Sequence, residues 1–216
     1  MQIQGSVCLV TGADRELGRR LTEELLRRGA AKVYGAVGAP NGMTTPGVVP
    51  LQIDITDPAS VTAAAHAARD TTLLVNNVGT YGVASLLDGN IEDIRALMDS
   101  HYFGTLTVTR AVAPHLIANA PSAILNIVSV RSWLHPRGGA DAYALARTAL
   151  WAQTNAVRAE LEPDGVAVTA LHVGHMGTNM ATQFESDKAN LTRVAVQALD
   201  GVEHGLIEVL ADELSR

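Results

Sequence analysis

The sequence predicts an α/β protein, doubly wound on a single parallel sheet of about seven strands, and three observations carry that prediction. Short runs rich in Val, Ile and Leu alternate with longer helical patterns from one end to the other. The chain has 216 residues, 47% apolar and 18% charged, which suits one domain (1–216) with a full core. No internal repeat, low-complexity segment or linker divides it.

In chain order, strands are expected at Val7 to Val10, Lys32 to Val37, Val48 to Ile53, Leu73 to Asn76, Ile124 to Val128, Val166 to Leu171 and Ile207 to Leu210. Each is a short apolar run, as a strand covered on both faces requires. Helices are expected at Leu17 to Arg28, Pro58 to Ala68, Ile91 to Ala118, Ala142 to Leu161 and Leu191 to Leu199, and supply the crossovers that parallel strands need. Gly35 to Gly47, rich in Gly and Pro, reads as a loop between the second and third strands. In such sheets ligands sit beyond the carboxyl ends of the strands, where strand order reverses, so the residues after each strand are the ones to read for chemistry.

The bulk charge narrows the partners. A formal charge of −6, with Arg and Lys scattered, gives no electrostatic footprint for nucleic acid or an acidic membrane. No apolar stretch approaches the roughly 18 residues that span a bilayer, and the N-terminus lacks the basic start of a signal peptide. Cys8, the single cysteine, lies in an apolar run and is expected to be a small buried hydrophobe, in keeping with a reducing cytoplasm. The expectation is a cytoplasmic protein acting on a small-molecule substrate, without nucleic acid, membrane or metal.

Chemistry is concentrated in Tyr143-Ala144-Leu145-Ala146-Arg147. Residues four apart on a helix share a face about 5 to 6 Å apart, which sets the Arg147 guanidinium beside the Tyr143 phenol. A fixed cation there favours phenolate and suits Tyr143 to acid/base work. An isolated Tyr-x-x-x-Arg is more often an aromatic core residue with a surface arginine, so the surrounding motifs decide.

Thr11-Gly12-Ala13-Asp14-Arg15-Glu16-Leu17-Gly18, directly after the first strand, resembles the glycine-rich turn of the short-chain dehydrogenase/reductase family, whose fold is Rossmann-type. Asn76-Asn77-Val78-Gly79 after the fourth strand resembles that family's Asn-Asn-Ala-Gly segment, and Asp54-Ile55 its adenine-contacting Asp-Val. Ser129, at the end of the fifth strand, stands where the family's catalytic serine would be. The four matches, in order, cover nearly the whole chain. The resemblance implies dinucleotide contacts at Gly12, Arg15, Gly18, Asp54, Asn76 and Gly79, and catalysis at Ser129 and Tyr143.

Departures from the family pattern fall on functional positions. The middle glycine of the turn is Glu16, and a carboxylate about 4 Å from a phosphate oxygen, at an effective dielectric near 20, costs about 4 kcal/mol per charge pair. The same carboxylate would also stabilise a helix N-terminus, filling the anion site a phosphate normally takes. After the second strand, Ala36-Val37-Gly38-Ala39 offers neither the acid that holds an NAD ribose nor a base for an NADP phosphate, while Arg15 matches a basic position of NADP-preferring members. His101 replaces an asparagine that holds a relay water, and is expected to take that role, to act itself near neutral pH, or to be structural. Arg147 replaces a lysine, keeping the charge but losing the proton relay.

Minor sites follow from the same resemblance. Gly174-His175-Met176-Gly177-Thr178 resembles the family's Pro-Gly turn, Asn179 to Asn190 its substrate lid, and Trp133 and His135 are candidates for the opposite wall. Asn76 and Asn126 are expected to bond backbone. The Ser129, Tyr143 and Arg147 set also resembles the halohydrin dehalogenases, which abandoned the dinucleotide. The preferred reading is therefore a cofactor-independent, non-redox enzyme, a lyase, isomerase or cyclase, in which Glu16 or His101 complements Ser129, Tyr143 and Arg147. An NADPH-dependent carbonyl reductase is the alternative, and a catalytically inactive binding subunit the third. The helices from Ile91 and Ala142 resemble the family's dimer helices, with Leu97, Leu106, Ala111, Ala146, Leu150 and Ala156 as the expected homodimer face.

Overall fold

The computed structural model describes residues 1–43, 45–82, 84–133, 141–174, 190–212 and 215. Seven parallel strands form one sheet: β1 (Val7–Thr11), β2 (Lys32–Val37), β3 (Val48–Gln52), β4 (Leu73–Asn76), β5 (Ser122–Ser129), β6 (Val166–Val173) and β7 (Glu208–Leu210). Their order is β3-β2-β1-β4-β5-β6-β7. The chain walks outward from β1 to β3, then returns to add β4 on the other side of β1. Strand order therefore reverses between β1 and β4, and the crevice beyond their carboxyl ends is the place where such sheets bind ligands. This is the expected Rossmann-type doubly wound architecture.

Among the described residues six α-helices cover the sheet: α1 (Glu16–Arg27), α2 (Pro58–Ala67), α3 (Ile91–Met98), α4 (Gly104–Ala118), α5 (Ala142–Leu161) and α6 (Leu191–Glu203). Four begin at a side-chain cap: Asp57, Asn90, Asp141 and Asn190 each accept a hydrogen bond from an N–H of the first turn. Alternate residues of β1 point to opposite layers. Cys8 and Val10 pack with Leu17, Leu21 and Leu25 of α1 and with Val194, Ala198 and Leu199 of α6. Leu9 packs with Val61 and Ala64 of α2 and with Val108, Val112 and Leu116 of α4. Cys8 is the buried apolar filler expected, and burial pushes its thiol up to about 11 against a hydrogen bond with Ser6.

Two expectations need correction. The single helix foreseen from Ile91 to Ala118 is interrupted by a π-helical turn at Asp99–Phe103. There Gly104 brings the backbone against a neighbour, since a Cβ on it would lie 2.7 Å from Ile55 Cδ1. Such wide turns inside helices re-aim side chains, and this one carries His101 into the interior. The loop foreseen from Gly35 begins only after Val37: Gly35 pairs within β2, as the strand expectation had it, and a Cβ on it would come within 2.6 Å of Val48 Cγ1. Among the described residues, no helix is long and apolar enough to cross a membrane.

Candidate active site

The turn after β1 is closed by two glycines and an asparagine. Gly12 has φ +64, in the left-handed region that favours glycine, and a Cβ on Gly18 would fall 2.1 Å from the Gly12 carbonyl oxygen. Asn77 Nδ2 donates to the carbonyl oxygens of Thr11 and Gly12, each at 3.1 Å. The Thr11 hydroxyl accepts from the N–H groups of Asn77 (3.0 Å) and Val78 (3.2 Å). The turn is thus locked to the end of β4 across the point where strand order reverses. Asn77 was passed over in the sequence, although its position beside Asn76 was the signal.

Around this turn the expected cofactor residues divide. Arg15 caps α1 in an extended conformation and is exposed, and Glu16 is the first residue of α1, half-buried. Gly38, just past β2, faces open space, as a ribose-bearing group there would need. Asp54 is exposed, and its Oδ1 accepts from the Thr56 hydroxyl (2.7 Å) and N–H (2.9 Å), which hold its carboxyl below the usual range. Asn76 is buried and points into a chain of amides and hydroxyls: its Nδ2 donates to Asn126 Oδ1 and Thr109 Oγ1, and Asn126 Nδ2 donates to Thr154 Oγ1. The expectation that these two amides bond backbone is corrected, since their partners are side chains.

Tyr143, Arg147, His101 and Gly79 meet at one place. Arg147 is buried; its Nη1 donates to the Ile127 carbonyl oxygen at 3.0 Å, and its guanidinium carbon lies 5.1 Å from the Tyr143 ring centroid. The sequence spacing had set this cation beside this phenol. His101 is fully buried, edge-on to Tyr143 at 5.4 Å, with Nε2 donating to the Thr80 carbonyl oxygen at 2.7 Å. A Cβ on Gly79 would press within 2.6 Å of His101 Cε1 and 3.1 Å of Arg147 Nη2, so only glycine lets these two groups close on the strand end.

The idea that His101 titrates near neutral pH is corrected by this burial. Desolvation, and then the charge of Arg147, push its imidazole down to about 2 against the pull of the Thr80 carbonyl, so it stays neutral under physiological conditions.

Ser129 ends β5, and its Oγ accepts a hydrogen bond from Arg131 N–H at 3.2 Å. Tyr81, Arg131 and Asp141 were not foreseen. Tyr81 stands edge-on to Tyr143 at 5.3 Å, and Arg131 Nη2 donates to Asp141 Oδ2 at 2.9 Å. Trp133, one of the expected wall residues, is 39% exposed and lies 3.9 Å from the buried ring of His172, which is paired with Glu208. Gly174 is described; His135, and the residues foreseen as turn and lid from 175 to 189, lie outside the described residues.

A family model for short chain dehydrogenases matches residues 6–189. The chain belongs to that family. Members similar to it include the oxidoreductase UcpA of Escherichia coli (strain K12), 29% identical over 83% of this chain and 73% of that protein. The 3-oxoacyl-[acyl-carrier-protein] reductase FabG of the same strain is 27% identical over 87% of this chain and 80% of its own length. A solved short-chain dehydrogenase from Burkholderia cenocepacia J2315, in complex with NADP, is 37% identical, with TM-score 0.94 over 100% of this chain and 91% of the other.

This similarity overturns the cofactor-independent, non-redox reading and the expectation of no cofactor. A short-chain dehydrogenase that superposes along its whole length on an NADP complex is a poor candidate for a vacated pocket. The error lay in the weight given to Glu16. Its penalty assumed a carboxylate fixed in a medium of dielectric near 20, but Glu16 is only half-buried, and at the dielectric of water the same pair costs about 1 kcal/mol.

Proposed function

We propose that this protein is an NADPH-dependent oxidoreductase that interconverts a carbonyl and an alcohol on a small, partly apolar substrate. The observation that carries the reading is that the glycine turn and the Tyr143–Arg147 pair stand at one end of one sheet, in a chain 37% identical throughout to an NADP-bound relative. The residues fit the dinucleotide. The left-handed turn at Gly12 and the tight packing of Gly79 against His101 and Arg147 need glycine, and Gly38 past β2 faces open space. Gly12, Gly18 and Gly79 would hold its phosphates and nicotinamide end, and exposed Asp54 its adenine. Arg15, together with the absence of an acid in Ala36-Val37-Gly38-Ala39, favours the 2′-phosphate of NADPH.

The cofactor supplies or accepts the hydride. Because Ser129 Oγ accepts from Arg131 N–H, its own proton is free to hold the substrate oxygen. Tyr143 donates a proton to that oxygen in reduction and takes it back in oxidation. Arg147, anchored on the Ile127 carbonyl, keeps a permanent positive charge at the phenol ring. His101, held neutral, contributes a fixed dipole and not an acidic proton.

A homodimer through α3, α4 and α5 is supported by exposed Phe103, Ile117 and Leu145. Of the face expected from sequence, Leu97, Ala146 and Leu150 are instead buried within the chain.

Calorimetry with NADPH and NADH tests the reading. The expected result is NADPH binding with Kd of about 1 to 10 μM, at least tenfold tighter than NADH, a gap of about 1.4 kcal/mol or more. NADPH consumption with a panel of ketones and aldehydes would follow. Absence of binding up to millimolar NADPH would overturn it.

A further inference from the structure

We propose that the Arg131–Asp141 ion pair is a positioning element that sets the Ser129 hydroxyl relative to the Tyr143 phenol; this rests on the catalytic roles assigned above. The two groups belong to different elements. Ser129 ends β5 and Tyr143 lies in the first turn of α5, so their spacing depends on what ties the one to the other.

Both members of the ion pair also act locally. Arg131 gives its backbone N–H to Ser129 Oγ at 3.2 Å, and so sets which way that hydroxyl can donate. Asp141 caps α5, its Oδ1 accepting from Ala144 N–H at 2.8 Å, and so sets the first turn that carries Tyr143. Between them, Arg131 Nη2 donates to Asp141 Oδ2 at 2.9 Å, and the two side chains are only 17% and 21% exposed. The bond is charge-assisted and largely out of water, where such pairs hold geometry best. A second link runs parallel to it: the Thr148 hydroxyl donates to the Ser132 carbonyl oxygen at 2.8 Å, and Ser132 Oγ donates to the Ser129 carbonyl oxygen at 2.6 Å. Ser129 is therefore held from the α5 side by two chains of bonds, one ionic and one neutral.

Displacement of a reacting group by about 1 Å can cost 10²-fold in rate with little effect on binding elsewhere. The test is turnover, KM and NADPH affinity of Arg131→Leu, Arg131→Lys, Asp141→Asn and the double variant Arg131→Leu/Asp141→Asn. Asparagine keeps one acceptor oxygen for the cap of α5 and removes the charge and the Oδ2 acceptor that faces Arg131. Expected are a roughly 30- to 100-fold loss of kcat for Arg131→Leu, a smaller loss for Asp141→Asn, and partial rescue by Arg131→Lys. The double variant should be no worse than Arg131→Leu, because the pair acts as a unit. NADPH Kd should stay within about twofold.

Losses that multiply in the double variant, kcat within twofold of the parent in both single variants, or parallel loss of NADPH affinity and melting temperature would each overturn the positioning role. A parent protein that turns over no carbonyl with NADPH would instead bring down the proposed function itself.

Discussion

At the carboxyl end of β1, polar groups close on one another: Thr11 and Asn77 place their donors and acceptors on the Gly12 turn and the end of β4. At the ends of β4 and β5 and the start of α5, buried polar atoms stay open. His101 Nδ1, Arg147 Nε and Arg131 Nε have no hydrogen-bond partner among the described residues. An unsatisfied buried polar atom costs about 1 to 3 kcal/mol, so it survives where something other than stability selects it. The first region is closed by its own hydrogen bonds, and the second holds unpaired polar atoms on His101 and Arg147 beside the reacting phenol. The departures from the family pattern at His101 and Arg147 lie in that second half.

The largest expected effect separates the halves cleanly. Tyr143→Phe removes the phenol proton and leaves the ring in its edge-on contacts with Tyr81 and His101. We expect kcat to fall by about 10³-fold, within the 10²- to 10⁴-fold range of general acid catalysis, with NADPH affinity unchanged. Residual activity above a tenth of the parent's would remove Tyr143 from the role of proton donor.

Acid titration sharpens the contrast. The folded-state value of His101, about 2, lies below its ordinary value of 6.5, so the unfolded chain takes up a proton below pH 6.5 that the folded chain refuses. Its contribution to stability is full above pH 6.5 and is lost as pH falls from there toward 2. Between pH 7 and pH 4.5 the loss attributable to this one residue is about 3 kcal/mol. His101→Asn should shed that dependence, and urea unfolding of both proteins across the range measures it. Parallel pH profiles would mean that the imidazole is protonated in the folded protein.

The sheet was legible because strands packed between helical layers read as apolar runs, and all seven begin and end within two residues of the expected places. The Tyr143–Arg147 pairing followed from helix geometry at short range. What was not legible depends on contacts between distant segments. Nothing in Ser100-His101-Tyr102 signals that a π-turn will bury the histidine, and the turn ends where Gly104 packs against Ile55, a residue far away in the chain. The bond between Arg131 and Asp141 joins two elements whose proximity no periodicity encodes. Asn76 carried the family's motif, yet the sheet register sets it opposite Asn126, and the interior amide chain follows from that.

The smallest effect concerns Glu16, the residue in place of the turn's middle glycine. If solvent screens its carboxylate as its half-buried state implies, Glu16→Gly should tighten NADPH binding only about fivefold, or about 1 kcal/mol. The effect should shrink in high salt, as a screened interaction must. The same change puts glycine in the first turn of α1 and removes an acid from its N-terminus, so the apoprotein should lose stability by about 1 kcal/mol. Affinity and stability thus move in opposite directions, and calorimetry beside urea unfolding separates them. A gain of about 10³-fold in affinity would mean that the carboxylate is held in a dry site against the phosphates, and that the cofactor half is strained after all.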